Sequence, residues 1–168
     1  AGAANLITYV AWQRGRDFTY YYEYTFRKKY MSLWNIPLRH CYLDLDYVYR
    51  TLSNEGGEYP LDYDTYIASE CDFKVLATDA VTGRPHFFNK EDVKRNDYYV
   101  LQSTCAIPVI CGPRYVNGRY YFDGGIADPI PYKKALEDGC DFITVVLTRP
   151  RDYCDTSQPF LKYLKPFM

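Results

Sequence analysis

The chain has 168 residues and a formal net charge of -1, with 20 basic and 21 acidic residues, so it fits a single domain with a sizeable core. The charges are spread along the sequence without a basic block or an acidic tail, so nucleic acid is not an expected partner. No apolar run reaches the roughly 18 residues that a membrane-spanning helix needs. No signal peptide is visible either, so we expect a cytoplasmic protein whose membrane association is at most peripheral.

The cysteine content argues against a zinc site and against a disulfide framework. The chain has two histidines, and none of its cysteines show the Cys-x-x-Cys spacing of a zinc site. A chain of this length can also fold without disulfides. We therefore predict reduced, mostly buried thiols, and neither a metal nor another cofactor. The six cysteines are Cys41, Cys71, Cys105, Cys111, Cys140 and Cys154.

Tyrosine is unusually frequent, with 20 residues. One interpretation is ordinary packing, in which the rings are buried and the hydroxyl groups stay hydrated. The other is an aromatic surface that contacts a lipid or a partner protein. The second interpretation leaves peripheral membrane contact open.

The chain begins with a predicted helix over residues 1–14. Apolar residues between Leu6 and Ala11 recur on one helical face, and Gly15 is typical of a helix end. Residues 1–4 are all small, so we expect this end of the helix to pack closely against another part of the protein.

Residues 17–70 are rich in aromatic and charged side chains, and we interpret them as a helical insertion or lid. A short helix is predicted around Leu43–Val48, and a second one over Asp62–Ser69, where an aspartate near the N-terminus favours helix formation. Asn54–Gly57 is predicted to form a turn between them.

A β-hairpin is predicted after this region. Phe73–Ala80 is the first strand, Thr82–Pro85 forms the turn, and His86–Phe88 returns as the second strand. The later part of Asp92–Thr104 is predicted to be helical. Pro108 ends that helix, because a residue that precedes proline avoids the helical conformation.

A second predicted hairpin places an aspartate at the end of a strand. Asn117-Gly118 separates Arg114–Val116 from Arg119–Phe122, which is a strong hairpin signal. Asp123 follows the second strand directly. The glycines Gly124-Gly125 come next and let the backbone turn sharply or approach a ligand closely. A carboxylate in this position suits a catalytic base, but it also suits a plain turn.

The remaining elements predict the fold class. Pro131 is typical of the first residue of a helix, which we expect to end at Gly139. Phe142–Leu147 is almost continuously apolar, as in a parallel strand that is buried on both faces. Alternating strands and helices predict an α/β protein with a largely parallel central sheet and flanking helices, incomplete at its N-terminus. We assign one domain to residues 1–168, with its core in 71–150.

Four short segments occur together at a characteristic spacing. They are Thr78–Gly83, Ala106-Ile107-Pro108, Asn117–Gly125 and Pro129-Ile130-Pro131. Together they resemble patatin-like phospholipases, and the bacterial members of that family most of all. The resemblance is strong from about residue 73 to 148. It implies a three-layer sandwich and a lipid acyl hydrolase, either phospholipase A-like or lysophospholipase-like, that acts on phospholipids or other acyl esters.

The resemblance also implies a catalytic mechanism. In this family an Asp-Gly-Gly or Asp-Gly-Ala motif supplies the aspartate of a Ser–Asp dyad, which here is Asp123 with Gly124 and Gly125. The nucleophile is a serine in a Gly-x-Ser-x-Gly turn, which is absent from the sequence. Ala1 and Gly2 resemble the residues that follow this serine. We therefore expect the nucleophile directly before Ala1, and the backbone N–H of Ala1 as a donor in the oxyanion hole.

Other interpretations stay open. Asp123 could be a structural turn residue, and the protein could be a catalytically inactive relative that binds lipid or protein. Five serines lack the context of a nucleophile: Ser32, Ser53, Ser69, Ser103 and Ser157. Five further candidates have weaker support from their surroundings than Asp123 has: His40 and His86 as triad members, Cys105 as a nucleophile, and Asp44 and Asp46 as metal ligands. Asp128 precedes a proline and is interpreted as a turn residue.

Overall fold

The named elements between residues 2 and 68 are helices, and the four strands of the sheet lie between residues 75 and 123. The computed structural model describes residues 2–39 and 41–150. The α-helices are α1 (Gly2–Val10), α2 (Arg16–Tyr22), α3 (Asn35–Arg39), α4 (Tyr63–Ala68), α5 (Tyr99–Ser103) and α6 (Tyr132–Glu137). A π-helix spans Tyr47–Leu52, and 3₁₀-helices span Tyr24–Phe26, Lys90–Asp92 and Gly124–Ile126. Within these described ranges, no helix combines the length and the apolar character needed to cross a bilayer.

The sheet has four strands, and every pair of neighbours is antiparallel. The strands are β1 (Val75–Asp79), β2 (Pro85–Phe88), β3 (Arg114–Val116) and β4 (Arg119–Asp123), in the order β2-β1-β4-β3. The α/β class is confirmed, but the prediction of a largely parallel sheet is wrong for the described residues. Both hairpins impose antiparallel pairing on their own strands. The sequence held no local signal for the additional β1–β4 pairing.

The two predicted hairpins are confirmed. Asn117 and Gly118 both have positive φ, at 47° and 86°, as the two central residues of a type I′ turn require. The other hairpin joins β1 to β2 through Gly83, whose φ is 68°. Each turn sets the register within its own hairpin. Between the two hairpins, Ala77 of β1 pairs with Asp123 of β4.

The predicted strand over Phe142–Leu147 is wrong. The segment has no regular secondary structure in the described chain, and Phe142 and Val146 are 95% and 87% exposed. An apolar run is consistent with a buried strand but does not by itself establish one. A strand also needs neighbouring strands that satisfy its backbone hydrogen bonds, and none of the described strands pairs with this segment.

The short helices agree with the sequence patterns, with some differences at their ends. α1 ends at Val10, earlier than predicted, and Trp12 follows it with a positive φ of 55°. Gly15 also has a positive φ, and it directly precedes α2. Asp62 caps α4, where its side chain accepts a hydrogen bond from the backbone N–H of Thr65 at 3.0 Å.

One apolar cluster joins the helical half to the sheet. Its most deeply buried members include Ile7, Leu45, Leu52, Tyr66, Phe73, Val75, Phe88 and Leu101. The named secondary-structure elements between residues 17 and 70 are all helices, as predicted for this region. Its role as an insertion or lid stays a prediction.

Candidate active site

Backbone and side-chain hydrogen bonds hold Asp123 at the end of β4. Its backbone N–H donates to the carbonyl oxygen of Ala106 at 2.8 Å. Its own carbonyl oxygen accepts a hydrogen bond from Oγ1 of Thr78, also at 2.8 Å. Oγ1 of Thr78 in turn accepts from the N–H of Ala127 at 3.2 Å. The loop before the second hairpin and the turn after it are therefore both tied to this one residue.

The two glycines after Asp123 have different structural roles. The N–H of Gly125 donates to Oδ1 of Asp123 at 2.7 Å, which fixes the orientation of the carboxylate. Gly124 lies so close to β1 that an added Cβ would overlap the carbonyl oxygen of Leu76. Neither glycine has a positive φ. Gly124 is thus required by close approach to the neighbouring strand, and not by the ligand approach or left-handed turn that we expected.

Asp123 lines a cavity of about 230 Å³ between the helices and the sheet. Ala4 and Asn5 of α1 line the same cavity, so the first turns of α1 and the carboxylate face one space. The other walls come from α2, the π-helix, α5 and several connecting loops. They are largely apolar or tyrosine-rich and include Tyr20, Tyr30, Leu45, Tyr49, Leu101 and Ile107.

Of the remaining candidates, Cys105 also lines the cavity, and the others lie outside its wall or outside the described chain. Gly2 is the first residue of α1 and is exposed, and it does not line the cavity. Ala1 and His40 lie outside the described residues. His86 packs its ring against Phe88, with centroids 4.6 Å apart, and neither His86 nor Asp128 lines the cavity.

The other polar candidates have structural contacts. Oδ1 of Asp44 accepts from the N–H of Tyr47 at 3.0 Å, at the start of the π-helix. Oδ1 of Asp46 accepts from Nε2 of Gln102 at 3.2 Å. Across residues 2–39 and 41–150, no group of three His, Cys, Asp or Glu side chains is arranged to hold a metal ion.

Two tyrosines, Tyr30 and Tyr49, line the cavity together with Asp123 and Cys105. The hydroxyl of Tyr49 lies 3.4 Å from Sγ of Cys105. Burial raises the pKa of Tyr49 far above its ordinary value, and burial also raises the pKa of Tyr30. Both phenols therefore stay neutral at physiological pH, and they offer hydroxyl groups to a ligand without adding charge.

Arg16 is the cavity residue that sequence reasoning missed. It is the first residue of α2 and only 6% exposed, and it lines the cavity together with Tyr20 and Ser53. In the sequence it is one of 20 basic residues. No local pattern distinguishes an arginine that points inward, because its burial depends on contacts with residues about 40 positions away.

The comparison with known families agrees with the resemblance. The family model for patatin-like phospholipases matches residues 1–136. Since the match covers most of the chain, this protein belongs to the patatin-like phospholipase family, which is a family of lipid hydrolases.

One curated relative is a protein of Escherichia coli strain K12 that bears the description "Uncharacterized protein YjjU". It is 29% identical over 168 residues, and the match covers 95% of this chain. The same match covers 44% of the relative. The chain therefore spans less than half the length of this relative.

Proposed function

We propose that the protein hydrolyses lipid acyl esters, of the phospholipase A or lysophospholipase type, through an acyl-enzyme. Asp123 is the general base, and a serine at the N-terminal end of α1 is the nucleophile. One observation carries the proposal: Asp123 and the first turns of α1, at Ala4 and Asn5, line the same cavity. None of the described residues that line it is a histidine, so a carboxylate is the available base.

The reaction has two steps. The Asp123 carboxylate accepts the serine proton while the hydroxyl oxygen attacks the ester carbonyl carbon. When the tetrahedral intermediate collapses, the ester C–O bond breaks and the proton passes to the departing alcohol. A water molecule then loses a proton to the same carboxylate and attacks the acyl-enzyme. This second collapse releases the fatty acid and returns a proton to the serine.

The start of α1 supplies the remaining chemistry of this proposal. The first N–H groups of a helix have no partner within the helix, and donors directed at a developing oxyanion stabilise the transition state. Ala1 occupies this position in the sequence, so we assign its N–H group to the oxyanion hole. The hydrogen bond from Gly125 keeps the Asp123 carboxylate oriented, which lowers the cost of aligning it with the serine.

A serine-directed fluorophosphonate probe tests the proposal on the full-length protein. We expect covalent labelling of one serine at the start of α1, and loss of labelling when that serine is replaced by alanine. A full-length protein that turns over no acyl ester and shows no labelling supports the alternative, an inactive relative that binds lipid or protein. Labelling of a different serine would contradict the assignment of the nucleophile.

We also propose that the aromatic face of α2 contacts the membrane surface. Phe18 and Tyr22 are 67% and 72% exposed, and their rings stack with centroids 5.6 Å apart. Tyr21, on the same helix, is exposed and also lines the cavity. A membrane docked on this face would therefore lie next to the cavity that holds Asp123.

Sedimentation with phospholipid vesicles tests this contact. Replacing both Phe18 and Tyr22 by serine should lower the partition coefficient about tenfold or more, because the apolar area available for burial is lost. Tyr115→Ser is the matched control, since Tyr115 is an exposed aromatic residue on β3. Equal partitioning of the double variant and the control would contradict the proposal.

A further inference from the structure

Arg16 is a buried cation that no carboxylate of the described residues neutralises. Its residue exposure is 6%, and it forms no ion pair with any acidic side chain in the described part of the chain. A buried charge normally has an oppositely charged partner, because removal from water is costly. Among residues 2–39 and 41–150, the buried Arg16 therefore has no carboxylate that neutralises its charge.

Neutral groups hold the guanidinium in a defined orientation. Nη2 donates to Oγ of Ser53 at 2.8 Å, to the hydroxyl of Tyr20 at 3.0 Å and to the carbonyl oxygen of Tyr59 at 3.0 Å. The guanidinium carbon lies 4.7 Å and 5.6 Å from the ring centroids of Tyr20 and Tyr59. Nε is buried and has no hydrogen-bond partner. These contacts orient the guanidinium, and none of them supplies a negative charge.

The guanidinium faces the same cavity as the candidate base. Arg16, Tyr20 and Ser53 line this cavity together with Asp123. Asp17 lines it as well, and it is the one other acidic residue in the wall among the described positions. A ligand in the cavity therefore meets a cation and two carboxylates, one of which we have already assigned to the chemistry.

We propose that Arg16 forms an anion subsite that binds an oxyanion, a phosphate or a carboxylate, of the ligand in this cavity. Guanidinium groups recognise such groups through charge-assisted, often bidentate hydrogen bonds. The link to turnover rests on the proposed function: Arg16 then selects acyl esters that carry an anionic group over neutral acylglycerols. If Arg16 had only a structural role, linking α2 to the segment around Ser53, its replacement would change stability but not ligand preference.

The decisive experiment measures binding without turnover. It uses the full-length protein with Asp123→Asn and compares dodecyl phosphate, dodecanoate, dodecanol and inorganic phosphate by titration calorimetry. We expect at least one of the two anionic lipids to bind about tenfold or more tighter than dodecanol, and Arg16→Gln to remove that advantage. Binding of inorganic phosphate alone would identify free phosphate as the ligand. An equal affinity for dodecanol, or an unchanged preference in Arg16→Gln, would overturn the subsite.

Two further variants keep the test decisive if Arg16→Gln does not fold. Arg16→Lys retains the charge but loses the guanidinium fork, so its preference for the anion should be intermediate. Asp17→Asn removes a negative charge from the cavity wall and should tighten binding of the anionic lipid several-fold, while binding of dodecanol stays the same. Asp17→Asn that weakens or leaves unchanged the binding of the anion would count against the subsite.

Turnover separates this inference from the proposed function. With acyl-matched substrates, 1-oleoyl lysophosphatidate and 1-oleoylglycerol, Arg16→Gln should raise KM for the phosphate ester about tenfold more than KM for the neutral ester. Selective anion binding by a protein that hydrolyses neither ester would contradict the proposed function and support the subsite. Hydrolysis of both esters with equal KM would support the proposed function and contradict the anion subsite.

Discussion

Asp79 and Asp123 occupy similar positions in the sheet and have different surroundings. Each is the last residue of its strand, β1 or β4, and each strand leads into a turn. Oδ1 of Asp79 accepts from the N–H groups of Val81 and Thr82 at 3.0 Å and 2.8 Å, and Nη1 of Arg119 lies 3.1 Å from Oδ2. Asp123 binds the N–H of Gly125 through Oδ1 and also lines the cavity.

The difference shows that an aspartate at a strand end is not by itself a site. The hydrogen bonds of Asp79 serve the turn between β1 and β2, and the residue is 6% exposed. The N–H of Gly125 orients the Asp123 carboxylate, and Asp123 also lines the cavity, which gives a ligand access to it. We therefore expect Asp79 to matter for stability and Asp123 to matter for turnover.

The largest expected effect is on turnover in Asp123→Asn. The amide cannot accept the serine proton, so kcat for an acyl ester should fall about 10²- to 10⁴-fold, the usual contribution of a general base. Asp79→Asn should keep kcat within a few-fold at a temperature where it is folded. Turnover by the full-length variants, together with circular dichroism, measures both effects.

Asp128→Asn is the control for the variants Asp79→Asn and Asp123→Asn. Asp128 lies in the turn that follows Asp123, but it does not line the cavity. Its kcat should equal that of the unmodified protein. Undiminished hydrolysis by Asp123→Asn would remove Asp123 from the mechanism. A loss of kcat in Asp79→Asn as large as in Asp123→Asn would show that the two aspartates do not divide function and stability as proposed.

The second prediction concerns the glycine that places Asp123 against β1. In Gly124→Ala the new Cβ would overlap backbone atoms of Leu76, and these cannot move without disturbing the sheet. We expect a loss of about 1–3 kcal/mol in the free energy of unfolding, as for other overpacked sites, measured by urea denaturation. Turnover should fall as well, because the Asp123 carboxylate is displaced.

Gly112→Ala is the control for Gly124→Ala. An added Cβ at Gly112 meets no atom within 4 Å, and the residue has no positive φ. Its stability should stay within about 0.5 kcal/mol of the unmodified protein. Equal stability of Gly124→Ala and Gly112→Ala would contradict the proposal that close packing of Gly124 against β1 positions Asp123.

Local chemistry explains which parts of the fold were predictable. Asn117-Gly118 fixes its own turn, and Asp62 caps the helix that begins beside it, so both features follow from a few adjacent residues. The β1–β4 pairing joins segments more than 40 positions apart, and the wrong assignment of Phe142–Leu147 likewise came from hydrophobicity without knowledge of pairing partners. Periodicity reports burial, whereas strand direction depends on which segment lies alongside.

The residues of the candidate site also divide into those that a local motif predicts and those that depend on distant contacts. Asp123 was found because a local motif surrounds it, and the structure places it in a cavity wall with α1. Arg16 was missed because its partners, Ser53 and Tyr59, are distant in the sequence. The need for Gly124 also depends on a neighbouring strand, so its physical reason became visible only in the folded protein.

The third prediction uses the acid stability of the Asp79 turn. Hydrogen bonds from the backbone N–H groups, that of Thr82 first, lower the pKa of Asp79 from 3.8 to about 2. Because the folded-state pKa is below the unfolded value, this carboxylate contributes stability above about pH 4 and loses that contribution as the pH falls toward 2. The difference in urea midpoint between the unmodified protein and Asp79→Asn should therefore shrink between pH 4 and pH 2. A constant difference would contradict the assignment.

The smallest expected effect belongs to Arg119→Gln. The Arg119 side chain is 67% exposed, and a solvent-screened ion pair contributes little to stability. The backbone N–H of Thr82 contributes most to the lowered pKa of Asp79, so Arg119→Gln should keep most of the acid-dependent contribution that Asp79→Asn loses. Urea midpoints at pH 7 and pH 2.5 measure this. Arg119→Gln could instead lose the whole acid-dependent contribution to stability that Asp79→Asn loses. In that case the ion pair with Arg119, and not the hydrogen bonds of the turn, would account for the stabilising role of Asp79.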